Sequence, residues 1–205
     1  MNAQFVSLAV GYALGSGQLR RKGARQRPWL ELRRLETEST YLLHQTRLLQ
    51  RSGSGSVRVD VDMLPGQGYY DLRRARLHSP LLERAMELLQ VDGDRRYSIE
   101  ALRVAGVRGI ASLWLDVGRW RLGSGLLLIP SLEDGAVLSE YLLSHHGIKA
   151  TISERPTPAV TLAPRPMQDL ACLLRPQVHR SMRHALRPGA CFGKQLLDEP
   201  RRQFA

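Results

Sequence analysis

Two apolar segments, each stopped by a glycine and each leading into a similar run of elements, restrict this chain more than any other feature of it. In the first, Phe5, Leu8, Ala9, Tyr12 and Ala13 recur at helical spacing, and Gly15-Ser16-Gly17 ends the pattern. In the second, Ser98 is placed to cap a helix carrying Ile99, Leu102, Ile110, Leu113, Trp114 and Leu115, which stops at Asp116-Val117-Gly118. The glycines from Gly106 to Gly109 predict a break that divides this second helix into a short and a long piece. When Ser16 is set over Val117, Gly17 falls on Gly118, Gly11 on Ser112 and Leu14 on Leu115. Small residues on one face let two helix backbones approach closely, so the spacing predicts a central pair lying side by side.

The segments downstream of each helix extend the repetition. After the first come a basic stretch from Leu19 to Leu35, a helix from about Thr37 to Leu49 and the loop Ser52 to Gly55. Val57, Val59 and Val61 then alternate with Arg58, Asp60 and Asp62, the period-two pattern of a half-buried strand. Tyr69 to His78 pairs with it across Pro65 to Gly68, and Ser79-Pro80 opens a helix through Leu89. The second half is terser: a strand from Gly123 to Pro130, a Ser131/Asp134 capping-box-like start and a helix through His145. A hairpin of 149–153 and 159–163 and a helix from Met167 to Leu174 complete it. The chain therefore reads as a duplication, with repeats at 1–97 and 98–187 and a basic extension at 188–205.

Charge narrows the function. Thirty Lys and Arg against nineteen Asp and Glu give a net charge of +11, which attracts a polyanion and repels itself when none is present. Only Lys22, Lys149 and Lys194 are lysines; arginine's planar fork suits phosphate and base stacking, although a codon bias toward Arg produces the same excess. No run reaches the roughly 18 apolar residues of a spanning helix, so a membrane partner is not expected. Cys172 and Cys191 stand apart without paired spacing, which predicts neither zinc site nor disulfide framework and suits a reducing compartment. Met1 to Phe5 leads straight into a helical pattern, so a targeting peptide is expected to be either absent from this chain or already removed from it.

The segment Leu8 to Leu19 resembles the first motif helix of single-chain LAGLIDADG homing endonucleases and intron maturases, whose usual ending is Gly-Asp-Gly. Ala111 to Gly118 resembles their second, which commonly ends Trp-x-x-Asp-Asp-Gly. Gly147 to Ile152 and Leu174 to Arg183 resemble the closing hairpin and the Pro-x-x-x-x-Ser-Met segment. The resemblance covers about residues 5 to 187 and implies an α+β monomer with pseudo-twofold symmetry. Two αββαββα units would meet along the motif helices, and two antiparallel sheets would form a saddle over nucleic acid. In such enzymes the acid before each terminal glycine holds a divalent metal that activates water.

Here those positions are Ser16 and Val117, and neither supplies a carboxylate to a hard cation. Asp116 lies one residue away, about 100° round a helix, and is expected to point elsewhere. No catalytic residue, metal or cofactor is therefore expected.

Binding is assigned to Arg20, Arg21, Lys22, Arg25, Arg27, Arg33 and Arg34 on the first strands, and to Arg58, Arg73, Arg74 and Arg76 on the neighbouring hairpin. Arg119 and Arg121 would line the equivalent edge of the second copy, and Arg180 and Arg183 a basic cluster near the end. Trp29 either stacks on an unpaired base or belongs to the core, and Asp60 and Asp62 are expected to pair with arginines across the hairpin.

The expected function is noncatalytic binding of ribosomal or intron RNA as a structural component of an organellar, mitochondrial ribosome or as a maturase-like splicing factor, alongside ribonucleoprotein proteins. An active DNA endonuclease, or a regulator that binds duplex DNA without cutting, is the alternative.

Overall fold

The computed structural model describes residues 2–23, 26–53, 55–64, 72–91, 94–121, 123–154 and 157–186. Helix α1 (Ala3–Leu14) is capped by the Asn2 side chain and is buried along almost its whole length, from Phe5 and Val6 through Leu8 to Leu14. A helix apolar on every side belongs in the centre of a molecule, and this one sits there. The chain then forms β1 (Gln18–Arg20), β2 (Trp29–Leu35), α2 (Ser39–Ser52), β3 (Arg58–Leu64), β4 (Leu72–His78) and α3 (Leu82–Leu89). A short hairpin, β5 (Gln90–Val91) and β6 (Asp94–Arg95), leads to α4 (Ile99–Val117). The second half continues as β7 (Gly118–Arg121), β8 (Ser124–Leu128), α5 (Leu132–His146), β9 (Thr151–Ser153), β10 (Ala159–Leu162) and α6 (Pro164–Leu174).

Each half is thus αββαββα, and the sheets repeat one another: β1-β2-β4-β3 in the first and β7-β8-β10-β9 in the second, all antiparallel. The second half is as complete as the first, because β7, a strand that periodicity does not predict, pairs Gly118 to Arg121 with β8. The helix expected over 37–49 begins two residues later and runs to Ser52. The expected turn 65–68 and the start of its following strand lie outside the described residues, as does the extension at 188–205. The alternation of β3 is only partly a burial pattern: Val57 and Val59 pack against the core, whereas Val61 is 47% and Met63 53% exposed. Strand β3 is a sheet edge, paired on one side only, with β4.

Helices α1 and α4 cross at Gly11 and Gly109, where a Cβ on Gly11 would lie 2.7 Å from the Gly109 Cα. Only glycine on both sides permits that approach. Helix α4 kinks at Gly106, whose φ of 61° is open to glycine and costly to residues with a Cβ. The cap at Ser131 is as expected, and its partner Asp134 also accepts the Tyr97 amide at 2.6 Å. Beyond α6, residues 175–186 return across the molecule, burying Val178, Met182 and Leu186, while the indoles of Trp114 and Trp120 both donate to the Ala185 carbonyl. One apolar core runs through both halves.

Candidate nucleic-acid interface

The parallel motif helices bring their C-terminal ends together. Of the two positions that the resemblance assigns to acids, Ser16 is exposed and Val117 half-buried. Asp116, expected to point elsewhere, instead turns inward: it lies seven residues after Gly109, two helical turns along the face that meets α1. Its side chain is 3% exposed. Oδ2 accepts the Ser16 amide at 2.6 Å, and Oδ1 pairs with Arg34 Nη2 at 2.7 Å. Gly15 makes the room, since any Cβ there would collide with the Asp116 carboxylate. Burial pushes the Asp116 carboxyl up, against the opposing pull of Arg34 and the Ser16 hydrogen bonds. Burial likewise drives Tyr41 up to about 12 and Tyr12 up further.

Arg34, expected on the phosphate side, is therefore the buried counter-ion of Asp116. Its Nη1 donates to Ser16 Oγ and to the Arg33 carbonyl, and its guanidinium lies 5.4 Å from the Tyr41 ring centre. Strand parity explains the difference: Leu30, Leu32 and Arg34 share the inner face of β2 with the helices, while Trp29, Glu31 and Arg33 face outward. Arg73 follows Arg34 inward by register and pairs with Glu36 at 3.4 Å.

The outer face of the first sheet carries Arg20, Arg33, Arg58, Arg74 and Arg76, together with Trp29 and His78. Most of these cations are paired. Glu31 sits 2% exposed beneath Arg33 and Arg76, which contact it at 2.5 Å and 3.0 Å. Burial alone raises a carboxyl, but the hydrogen bonds and charge of these two guanidiniums prevail and hold Glu31 below its ordinary range. Asp62 pairs with Arg74 at 2.5 Å across the hairpin, as expected, while Asp60 pairs with Arg58 of its own strand at 3.2 Å and approaches His78. Trp29 is half-buried on this face, 6.5 Å from the His78 ring.

Of the remaining candidates, Arg21 reaches inward to Glu83, and Lys22 and Arg27 are exposed in the β1–β2 loop. Arg25 and the Arg121 side chain lie outside the described residues. Arg119 is exposed on the outer face of β7. Arg180 and Arg183 lie in the 3-10 segment Arg180–Ala185, on the helical side of the molecule beside α2. The two outer faces differ: the second presents Leu126, Leu128, Ala159 and Thr161 where the first presents arginines. Sequence reasoning missed Asp116 as the partner of Ser16, and its signal was Gly15, the one position that a crossing carboxylate needs empty. Among the described residues no three His, Cys, Asp or Glu side chains form a metal-ligand group, and no helix is long and apolar enough to cross a membrane.

No protein-family model matches this sequence, and no curated protein does. Solved structures do match. The homing endonuclease I-WcaI bound to its DNA recognition sequence is 14% identical, over 91% of this chain and 86% of that one, with a TM-score of 0.70. Mesophilic variants of the homing endonuclease I-DmoI are 15% identical over 87% of this chain and 99% of theirs, with a TM-score of 0.59. The N-terminal LAGLIDADG domain of WhiA is 18% identical over 89% and 87%, with a TM-score of 0.52. At such identities the likeness speaks for the path of the chain, and it agrees with the duplicated helices and the repeated sheet order: this protein has the LAGLIDADG homing-endonuclease fold.

Proposed function

We propose that this protein binds nucleic acid without cutting it, laying a phosphate backbone along the outer face of the first sheet and past Arg119 on the second. The observation that carries the reading is the Ser16–Arg34–Asp116 cluster at the helix tips. Phosphodiester hydrolysis assisted by a divalent ion needs carboxylate oxygens free to coordinate it. The one carboxylate here already accepts an amide on one oxygen and a guanidinium on the other, and a second cation beside Arg34 would be repelled. These residues do not fit a Mg2+ cage. Support for the binding half comes from the net charge of +11, from the exposed cations Arg20, Lys22, Arg27 and Arg119, and from the fold shared with I-WcaI, which was solved on its DNA target.

The preferred ligand in this reading is structured RNA, held in a ribonucleoprotein such as a mitochondrial ribosome or on an intron; the excess of arginine and the outward Trp29 favour it. The test is retention of the purified protein on RNA and on duplex DNA as salt is raised. With those four cations on phosphate, log K should fall with a slope of roughly −3 to −4 against log salt. Loss of all salt-dependent retention ends the proposal, and co-sedimentation with ribosomal particles that high salt reverses supports its ribosomal form.

A second reading, an active DNA endonuclease, is favoured by the structural neighbours I-WcaI and I-DmoI, which are homing endonucleases. Plasmid nicking in Mg2+ or Mn2+ that disappears in Asp116→Asn would establish it. Duplex DNA winning over structured RNA in competition, without nicking, would instead favour a DNA-binding regulator.

A further inference from the structure

Many arginines of this chain pair with a carboxylate, among them the inward Arg34 and Arg73 and the outward Arg33, Arg58, Arg74 and Arg76. A cluster of arginines without such a partner lies in the helical layer, behind the first sheet, where α2 and α4 meet residues 175–186. Arg47, Arg51, Arg108 and Arg180 surround the imidazoles of His44 and His179 there, and none of the four has a carboxylate partner among the described residues. The two imidazoles contact each other, with ring centres 4.2 Å apart.

Two adjoining cavities open at this junction, of about 250 and 310 Å3, and both are walled by His44, Leu48 and His179. That size is at the small end of ligand sites. The inner one is lined by hydroxyl-bearing Tyr12, Tyr41 and Ser112, with Arg108 and Gln177 at its side, and the outer one by Thr40, Arg47, Arg51 and Arg180. Arg108 Nε is held by Gln177 Oε1 at 3.2 Å, which fixes its plane while leaving its terminal nitrogens as donors. Among the described residues no Asp or Glu lines either cavity. Cations and hydroxyl groups converging on a concavity without a carboxylate satisfy each other poorly, and an anion with several acceptor oxygens satisfies them all.

We propose that this junction is a phosphate-binding pocket, separate from the outer sheet face, in which His44, His179 and the guanidiniums of Arg47, Arg51 and Arg108 take hold of one phosphate group. The phosphate is that of a mononucleotide or of a nucleic-acid strand bent round the molecule. The pocket stands independently of the reading of the sheet face and of the helix tips.

The two imidazoles make the pocket sensitive to pH. The charged groups facing the imidazoles are Arg47 and Arg51 from α2, Arg108 from α4, and Arg180 and Arg183 from the returning segment; Tyr12 and Tyr41 face the inner cavity from α1 and α2. Of the acids, Glu38 lines an adjoining cavity with Ser181 and His184, and the charge of Asp116 acts on Tyr12 and Tyr41 of the inner cavity. Burial first, and then the neighbouring positive charges, hold both His44 and His179 below the ordinary histidine range. A bound dianion reverses the second cause, so the imidazoles take up protons on binding and their hold weakens as pH rises through the histidine range. Phosphate that is still a monoanion at about pH 6 releases its own proton when it binds as the dianion.

The experiment uses the whole chain. Inorganic phosphate is titrated in at about pH 6 and about pH 8, read by calorimetry in two buffers to count protons and by the imidazole resonances of His44 and His179. Saturable binding with movement of both resonances is expected, with net proton uptake at about pH 8, where phosphate is already a dianion. The double variant Arg47→Gln/Arg51→Gln changes only exposed side chains and should weaken phosphate binding about tenfold or more. The outer-face pair Arg20→Gln/Arg119→Gln should leave phosphate binding unchanged while weakening retention on nucleic acid. Displacement of phosphate by an RNA oligonucleotide assigns the pocket to a strand, and displacement by a nucleoside monophosphate alone assigns it to a nucleotide. Absence of saturable binding, or binding that the Arg47/Arg51 variant leaves intact, overturns the proposal.

Discussion

Replacing Arg34 with Met keeps the aliphatic stem and removes the guanidinium from a carboxylate that has almost no contact with water. Arg34 is 6% and Asp116 3% exposed, at 2.7 Å. Their attraction at that distance is about 6 kcal/mol for an effective dielectric of about 20, most of it offset by the desolvation of both ions. The single variant loses the attraction and keeps the buried charge, with the hydrogen bonds of Ser16 left to solvate it. Breaking a buried pair from one side costs about 3–5 kcal/mol, a large share of a typical domain stability of about 5–15 kcal/mol.

The cost should depend on pH. The Asp116 carboxyl is already raised in the folded protein, and removal of Arg34 raises it further. A folded-state pKa above the unfolded one means that the folded protein takes up the proton first, so stability is gained as pH falls through the raised value and lost as pH rises through it. The deficit of Arg34→Met relative to the parent chain should therefore shrink in acid. Urea denaturation followed by tryptophan fluorescence, at several pH values, measures it. Adding Asp116→Asn keeps the acceptor for Ser16 and should restore most of the loss. A deficit below about 1 kcal/mol, the size of an exposed ion pair, or a deficit that Asp116→Asn fails to relieve, would refute the buried-pair account.

Glu31→Gln should raise affinity for nucleic acid at low salt, because it frees Arg33 and Arg76 on the outer face; unchanged affinity in a binding titration would remove that face from the interface. The same change should abolish one acid-range transition, since the lowered pKa of Glu31 stabilises the fold above the ordinary carboxylate range and that contribution is lost as pH falls through the lowered value. Gly11→Ala places a methyl against the Gly109 backbone and should destabilise by about 1–3 kcal/mol or more, read as a lower urea midpoint; a neutral result would mean that the helices do not cross there. Gln45 is fully buried on α2 with no partner for either amide atom among the described residues, so Gln45→Leu should stabilise by about 1–3 kcal/mol and raise the midpoint at unchanged slope.

Local chemistry alone determined much of this fold. The glycine stops, the caps at Ser98 and Ser131, and the period-two runs have physical meaning within a few residues, so both motif helices and most strands were legible, as was the absence of acid at positions 16 and 117. Strand parity already separated Arg33 from Arg34 and Arg74 from Arg73, but a strand cannot say which of its faces will be covered; α2 and the motif helices decided that. Helical periodicity placed Asp116 about 100° from Val117 without saying which of them faces the partner. The crossing at Gly11 and Gly109 set that rotation, turning Asp116 onto Ser16 and Arg34. The meeting of His44 with His179 lay beyond any local signal, because it depends on the last described segment folding back over α2. Periodicity records how a segment divides its own surface, while the pairing of charges from distant segments is set only when packing determines which surfaces touch.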